Sequence, residues 1–443
     1  MVDVLIIGAG SAGSVLAERL SADPSCRVSV VESGPGGPGT ARRTADATVL
    51  PIGAASPVAR HYRTILTGDP PRTAQIVRGN CVGGSGAING GYFRFPGPDD
   101  LDPLPGWSWP EVDEHNRAVA ARIPVCRSYD FASATAAFIA AARDCGYGWL
   151  PDLDVAEMVP GVGPVPLNIA DGVRLGPASA FLIPALGRPN LSVLAETRVT
   201  RMRLAGGRVV GVDAVGPAGP VRIGADRVVL AAGAIASAQL LMLSGVGPAG
   251  DLAALGIPVA ADLPVGRRCW DHPEQVMATD RPPEVGHPVL EVVLLVDGLE
   301  IRPYTTGFGA GRCNVGVALM TPQAPGRVTL ASPDPSADPR IEHRYDSEPA
   351  DVAALRRGCR RVADLLGGST ELGEPQWSTS QHLCGTAPMG PEGDPHAVVD
   401  HRCRVRGVEG LWVIDGSVLP RIPARGPHAT IAMLAHRAAE FVR

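Results

Sequence analysis

The first 32 residues constrain this chain more than any other stretch. An apolar, β-branched run from Val2 to Ile7 leads directly into Gly8-Ala9-Gly10-Ser11-Ala12-Gly13. Val15, Leu16, Arg19 and Leu20 then follow helical spacing, and a second apolar run, Val28 to Val31, ends at Glu32. Two strands joined by a helix make a parallel pair, and the N-terminus of the crossover helix offers unpaired N–H groups to an anion. In this order Gly8 suits a tight turn, Gly10 lets a pyrophosphate approach the backbone, and Gly13 lets the helix lie close on the strand. Ser11 and Ala12 stand at the helix start. Glu32, 24 residues after Gly8, is placed to accept hydrogen bonds from a ribose. The stretch predicts a dinucleotide site opening a doubly wound α/β domain, and by itself does not separate FAD from NAD.

Composition removes several alternatives. All 40 residues counted as Lys+Arg are arginine, so a lysine Schiff base, a pyridoxal phosphate enzyme and a Walker-A ATPase are excluded. A net charge of −5 spread along the chain, with 4% aromatics, argues against a nucleic-acid partner. The nine cysteines fall in no CxxC or Cys/His pattern, which predicts no metal site and reduced thiols. No signal-peptide pattern opens the chain and no apolar run reaches ~18 residues, so no transmembrane segment is expected. The expected location is cytoplasmic, with peripheral contact at the inner face of the cell membrane left open. A length of 443 residues allows two or three domains.

Taken in order, residues 33–75 are rich in Gly, Pro and Arg and read as surface loop and short helix. Residues 76–90 concentrate small residues: Gly79, Gly83, Gly84, Ser85, Gly86, Ala87, Asn89 and Gly90. Such a segment brings backbone N–H groups close to a large planar or anionic ligand, or else packs as a glycine-rich helix entry. Pro-Gly turns at 96–97 and 105–106 flank Trp107 and Trp109, with helices expected from Pro110 and over Ala132 to Cys145. Period-two alternation from Leu191 to Val215 predicts a β-meander ending in the buried strand Arg227 to Gly233, followed by an apolar helix, Ala234 to Leu243. An antiparallel sheet is expected within 275–345, a helix over Glu348 to Leu366, a strand into a turn over Leu411 to Ser417, and a last helix over Thr430 to Val442.

Several of these stretches together resemble the glucose–methanol–choline (GMC) family of flavin oxidoreductases over nearly the whole chain. Gly83-Gly84-Ser85-Gly86-Ala87-Ile88-Asn89 is similar to the family's GGSSxxN segment, and Gly233 to Gly247 to its second signature, with Ala238 where proline or serine is usual. Val265 to Pro273 looks like the VGxNxxDHP turn, His382 to Gly390 like HxxGTxxMG, and Val398 to Pro420 like the closing pattern. The wording of residues 86–93, 300–305, 340–346 and 380–385 resembles the GMC dehydrogenases associated with mycofactocin, a peptide-derived redox cofactor.

The resemblance implies an FAD-binding Rossmann-like domain with an inserted α+β antiparallel-sheet substrate domain. The expected division is 1–93, 191–274 and 396–443 for the cofactor, and 94–190 and 275–395 for the cap and substrate. At 443 residues the chain is short for the family, with trimmed peripheral loops. His382 stands where the family's catalytic base belongs, taking an alcohol's hydroxyl proton while hydride passes to the flavin; an imidazole of ordinary pKa ~6.5 suits that task. Gly8, Gly10, Ser11, Ala12 and Gly13 are implied at the pyrophosphate, Glu32 at the ribose and Val199 at the adenine. Gly83, Gly84, Ser85 and Asn89 are implied at the flavin, and Asp415 and Gly416 along the ribityl chain. Gly233, Pro427 and His428 complete the implied contacts. His272, His343, His401 and His436 read as turn or surface residues.

Two departures matter. Gly426, in Arg425-Gly426-Pro427-His428-Ala429-Thr430, occupies the family's His or Asn position, and glycine offers no side-chain hydrogen bond to a substrate. His428 either supplies that second catalytic group or caps the last helix; the sequence leaves both open. Ile88 stands where some relatives attach FAD through histidine, which predicts non-covalent FAD. The expected activity is a dehydrogenase oxidising an alcohol or reduced mycofactocin and passing electrons to a respiratory acceptor. The alternatives are an O2-using alcohol oxidase of choline oxidase type, a non-redox lyase on the same fold, and a flavin-binding partner protein.

Overall fold

The computed structural model describes residues 2–101, 106–154, 159–308, 311–367 and 371–442. Pro105, half of one expected turn, lies outside them. Strand β1 (Val2–Ile7), helix α1 (Ser11–Ser21) and strand β2 (Val28–Val31) form the expected parallel crossover, with Val4 opposite Val28 and Ile7 opposite Val31. Val15, Leu16 and Leu20 of α1 are buried against the sheet.

The region 33–75 departs from its expected loop. A long hairpin, β3 (Ala59–Gly68) and β4 (Pro71–Gly79), fills most of it. The period-two set Tyr62, Thr64 and Leu66 is buried, but two of the three are polar-tipped residues, so the alternation does not register as hydrophobic. Leu191–Leu194 also departs from expectation: it pairs parallel with β2 at the edge of the first sheet instead of opening the meander. The meander itself is Arg198–Ala205, Arg208–Gly216 and β5 (Gly219–Leu230). Strand β5 serves two ladders. Its first half pairs antiparallel with Arg208–Gly216, and its second half lies parallel between β1 and Leu411–Val413. Helix α2 (Gly233–Leu243) leaves the end of β5 and is buried on almost every side, as its uniformly apolar sequence requires.

A second, antiparallel sheet contains β6 (Pro273–Ala278), Val292–Val296, Leu299–Pro303, Asn314–Leu319 and β7 (Gln376–Thr379). The amphipathic helix Pro349–Leu366 buries Leu355, Cys359, Val362 and Leu366 against it, forming a core separate from that of the parallel sheet. The β3–β4 hairpin joins Arg327–Thr329 and Arg340–Glu342 in a smaller sheet. The last helix, α3 (Pro427–Val442), packs on α1 and begins at Pro427, three residues before the expected start. Proline suits a first helical position because its missing N–H would have no partner there. The early start puts His428 in the first turn. No helix of the described residues is long and apolar enough to cross a membrane.

Candidate active site

One cavity of about 830 Å³ runs from the β1–α1 turn to the segment after β7. At the first end its walls are backbone. Gly8 has φ +102°, and a Cβ there would meet the Ala231 carbonyl oxygen at 2.5 Å, so only glycine fits. Gly10 precedes α1 and no side chain caps the helix, which leaves the first-turn N–H groups directed at whatever ligand lies there. Gly84, at φ +53°, comes so close from the opposite side that a Cβ would lie 2.7 Å from the Gly10 Cα. Two glycine turns from distant parts of the chain thus meet to form a bare cradle. Ser11, Ala12, Ser85 and Asn89 line the same cavity; Val199, Gly233, Gly416 and Pro427 line it as well. Gly13 and Gly83 are not on its wall. A Cβ on Gly13 would fall 1.9 Å from the Gly8 carbonyl oxygen, so this glycine sets how closely α1 meets the turn; a Cβ on Gly83 would crowd Ala87.

The carboxylates at this end are already bonded. Glu32 accepts the Ala9 and Gly34 N–H groups, both at 2.9 Å, and burial pushes its carboxyl above the usual range. Asp415 accepts from Gly233 N and Ser237 Oγ on one oxygen and from Ser417 N on the other, clamping the start of α2 to the turn after Leu411–Val413. Burial raises its pKa too.

His428 lies inside the cavity, turned inward as one of the two sequence alternatives required, but both of its nitrogens are used. Asn89 Oδ1 accepts the Gly91 N–H, which fixes Nδ2 as the amide donor to His428 Nδ1 at 3.1 Å. His428 Nδ1 is therefore an acceptor, the proton sits on Nε2, and Nε2 donates to Ser11 Oγ at 3.1 Å. Burial lowers its pKa to about 4, so the ring is neutral. It ties the helix α1 start to the Asn89 segment and has no lone pair left for a substrate proton. Helix capping is not its role either.

The other end is made of side chains. His382 lies three residues after the end of β7. Its backbone N–H donates to Asp271 Oδ1 at 2.8 Å, while Asp271 Oδ2 accepts from Tyr345 and Thr379. Its Nδ1 lies 2.8 Å from His272 Nδ1, the rings nearly perpendicular at 86°. Asp271 and His272, consecutive in sequence, hold the backbone and the ring of His382 respectively. His382 Nε2 has no protein partner among the described residues and opens onto the cavity. Burial, then the neighbouring His272, Arg302, Arg78 and His428, hold its pKa well below the usual imidazole value. Gly426 lies alongside: a Cβ there would meet only His382 Cε1, at 3.7 Å. The missing side chain leaves space next to the ring.

The expectation of a turn or surface place is corrected for His272, His343 and His436, which are all buried; His401 is exposed. Glu274, Arg302, Tyr304 and Ser380 form a polar network beside His382 that the sequence reading missed. Arg302 pairs with Glu300 at 2.7 Å and donates to Ser380 Oγ at 2.8 Å, and Tyr304 donates to Glu274 at 2.8 Å. A signal was present: Glu300, Arg302 and Tyr304 alternate on one face of an otherwise apolar buried run.

Comparison with known proteins agrees with this construction. Models of the N- and C-terminal parts of the GMC oxidoreductases match residues 2–274 and 322–435. An uncharacterised GMC-type oxidoreductase of Rhodococcus erythropolis is 40% identical over 99% of this chain and 98% of its own length. An oxygen-dependent choline dehydrogenase of Rhizobium etli is 28% identical over 99% and 95%. Among solved structures, pyridoxine 4-oxidase from Mesorbium loti superposes with a TM-score of 0.89 at 27% identity, covering 99% of both chains. Formate oxidase, at 21% identity, shares the fold with a TM-score of 0.88. The chain belongs to the GMC oxidoreductases, FAD-dependent enzymes of Rossmann-like fold acting on CH–OH groups.

Proposed function

We propose that this protein is a dehydrogenase that binds FAD non-covalently, oxidises an alcohol or reduced mycofactocin, and passes the electrons to a respiratory acceptor. The observation that carries the reading is the shared cavity: an uncapped helix start and glycine cradle at one end, and the unpartnered Nε2 of His382 at the other. The bare cradle fits a pyrophosphate, since any Cβ at Gly84 would occupy the approach. Bound there, FAD supplies a hydride acceptor. The protein's own part is to place and deprotonate the donor. With the single proton between the two Nδ1 atoms on His382, its Nε2 keeps a lone pair for the alcohol hydroxyl. His272 then acts as the acceptor that holds this tautomer, and Asp271 fixes the ring's origin.

In this reading His382 is the base and His428 a cradle residue. Glu32 and Asp415 shape the turns through backbone bonds and present their buried edges to the ribose and ribityl chain. Residues 1–93, 191–274 and 396–443 make the cofactor domain, in keeping with the origin of the parallel strands. Ile88, a buried aliphatic side chain on the cavity wall, offers no atom for a flavin bond. Acid precipitation is expected to leave a colourless pellet and yellow supernatant; a yellow pellet contradicts non-covalent binding. The competing acceptor is O2, as the names of the choline dehydrogenase and pyridoxine oxidase relatives suggest. Anaerobic titration with simple alcohols and reduced mycofactocin tests the donor, because the flavin bleaches only with a true one. Stopped-flow reoxidation in aerated buffer tests the acceptor: slow reoxidation supports the dehydrogenase, fast reoxidation an oxidase.

A further inference from the structure

We propose that Arg78 is the docking cation for an oxyanion, a carboxylate or phosphate, carried by the substrate beside His382; this rests on the FAD–alcohol reading above and narrows its substrate class. Four arginines line the cavity, and two of them have carboxylate partners. Arg60 pairs with Asp338 at 2.8 Å. Arg302 is held between Glu300 and Glu274. Arg198 donates to the Pro335 carbonyl next to Val199, in the first sheet. Arg78 makes one good bond, from Nη1 to its neighbour Val77 O at 2.9 Å, and a long one of 3.5 Å to Gln381 Oε1. Its Nε and Nη2 have no protein acceptor among the described residues and are not sealed in protein, and the residue lines the cavity.

No cavity carboxylate is free to meet it. Glu32 and Asp415 are spent on backbone N–H groups and the Ser237 hydroxyl, and Glu274 on Tyr304, Ser380 and Arg302. Asp271 acts on Arg78 from beyond ion-pair distance, its oxygens bonded to His382 N, Tyr345 and Thr379. The open Nε and Nη2 donors are left to whatever occupies the cavity, and a guanidinium fork favours an anionic oxygen pair over water.

The place of Arg78 is fixed with some care. Gln381 accepts the Val77 N–H at 2.7 Å and donates to Gln75 O at 3.2 Å, stapling β4 to the residue before His382. Gln381 does this at φ +65°, a left-handed conformation that a residue with a side chain adopts at a cost, held by its N–H to Thr379 Oγ1 at 3.0 Å. The strained residue thus sets the separation between the open guanidinium and the open imidazole. A planar fork of donors recognises carboxylate or phosphate by paired hydrogen bonds. The cofactor's own phosphates already have the uncapped α1 start. A hydroxy acid or a phosphorylated alcohol therefore fits the pair: oxyanion on Arg78, hydroxyl on His382.

The test uses FAD-loaded protein, wild type, R78Q and R78K, titrated with acetate and with inorganic phosphate while the flavin absorbance is followed. We expect a saturable spectral change in wild type. In R78Q, probe affinity falls roughly tenfold or more, R78K lies between, and FAD affinity holds within about twofold. Equal probe binding in R78Q, or no saturable change in wild type, overturns the proposal. A tenfold loss of FAD affinity in R78Q also overturns it, by assigning the anion to the cofactor. Should R78Q fold poorly, phenylglyoxal labelling of wild type, mapped at Arg78 by peptide mass, decides: acetate protects Arg78 if the proposal holds and does not if it fails. That labelling works without FAD, so a failure of FAD uptake, read first by visible absorbance, remains a separate result against the preceding reading.

Discussion

The two ends of the cavity are made of different material. The cradle end is backbone: Gly8, Gly10 and Gly84 present N–H groups and bare Cα atoms, and its acids are consumed in fixing turns. The His382 end is side chains held by other side chains: Asp271, His272, Ser380, Glu274 and Arg302. A backbone cradle binds by shape, and any added atom blocks it. A side-chain site works by protonation state and tautomer, and tolerates added atoms better than lost partners. Substitutions at the first end should therefore change cofactor affinity, and those at the second the rate of reduction.

The largest expected effect separates the two ends cleanly. His382→Ala should slow substrate-driven flavin reduction about 10²–10⁴-fold, as loss of a positioned base does, with FAD content unchanged in the visible spectrum; equal rates would return His382 to a structural role. Next, Gly84→Ala places a Cβ 2.7 Å from the Gly10 Cα. It should cost roughly 1–3 kcal/mol, read as weaker FAD binding and a lower Tm, and leave the reduction rate of the FAD-bound fraction intact. A lower rate at full occupancy would mean the ends are not separable.

Acid should act on the His382 end, which holds three of the histidines that burial lowers. Burial lowers His272 to about 3 and His343 to about 4, while His382 is lowered well below its ordinary value; His428 at the cradle falls to about 4. Below pH ~6.5 the unfolded chain binds protons that these buried rings refuse. Their stability contribution is full above that value and lost as pH falls towards about 4, by about 1.4 kcal/mol per pH unit for each such histidine. A Tm that declines through this window, and declines less in His272→Gln, sharpens the contrast; a Tm flat from pH 7 to 5 contradicts it. The smallest effect is at Gly426, φ +77°, where alanine should cost about 1 kcal/mol in strain. Its methyl fills the space beside His382 Cε1, so KM for a bulky donor should rise more than that for a small one.

The same contrast explains what could be read from the chain. The cradle is built on steric necessity at fixed spacing, so Gly8 to Glu32 and the 83–89 segment announce themselves. The buried strands β1 and β2 and helix α2 show as continuous apolar runs, and the helix Pro349–Leu366 carries a clean 3.6 pattern. The His382 end has no such local mark. His272 meets its partner 110 positions away, and Arg78 differs from thirty-nine other arginines only in what fails to face it. The β3–β4 hairpin hid because Tyr62 and Thr64 carry its buried face, and Leu191–Leu194 was misplaced because period two does not say which neighbour a strand will choose. The inward turn of His428 followed from an α3 that starts at Pro427, a boundary set by one proline rather than by the apolar pattern beyond it.

The most direct test of the account is a crystal structure of the FAD-loaded protein. The account predicts the pyrophosphate against the Gly10–Ala12 backbone and the flavin ring in contact with the open Nε2 side of His382, with His272 still at hydrogen-bond distance from Nδ1. A flavin ring lying elsewhere in the cavity, with the His382 imidazole turned into packed protein, would contradict it.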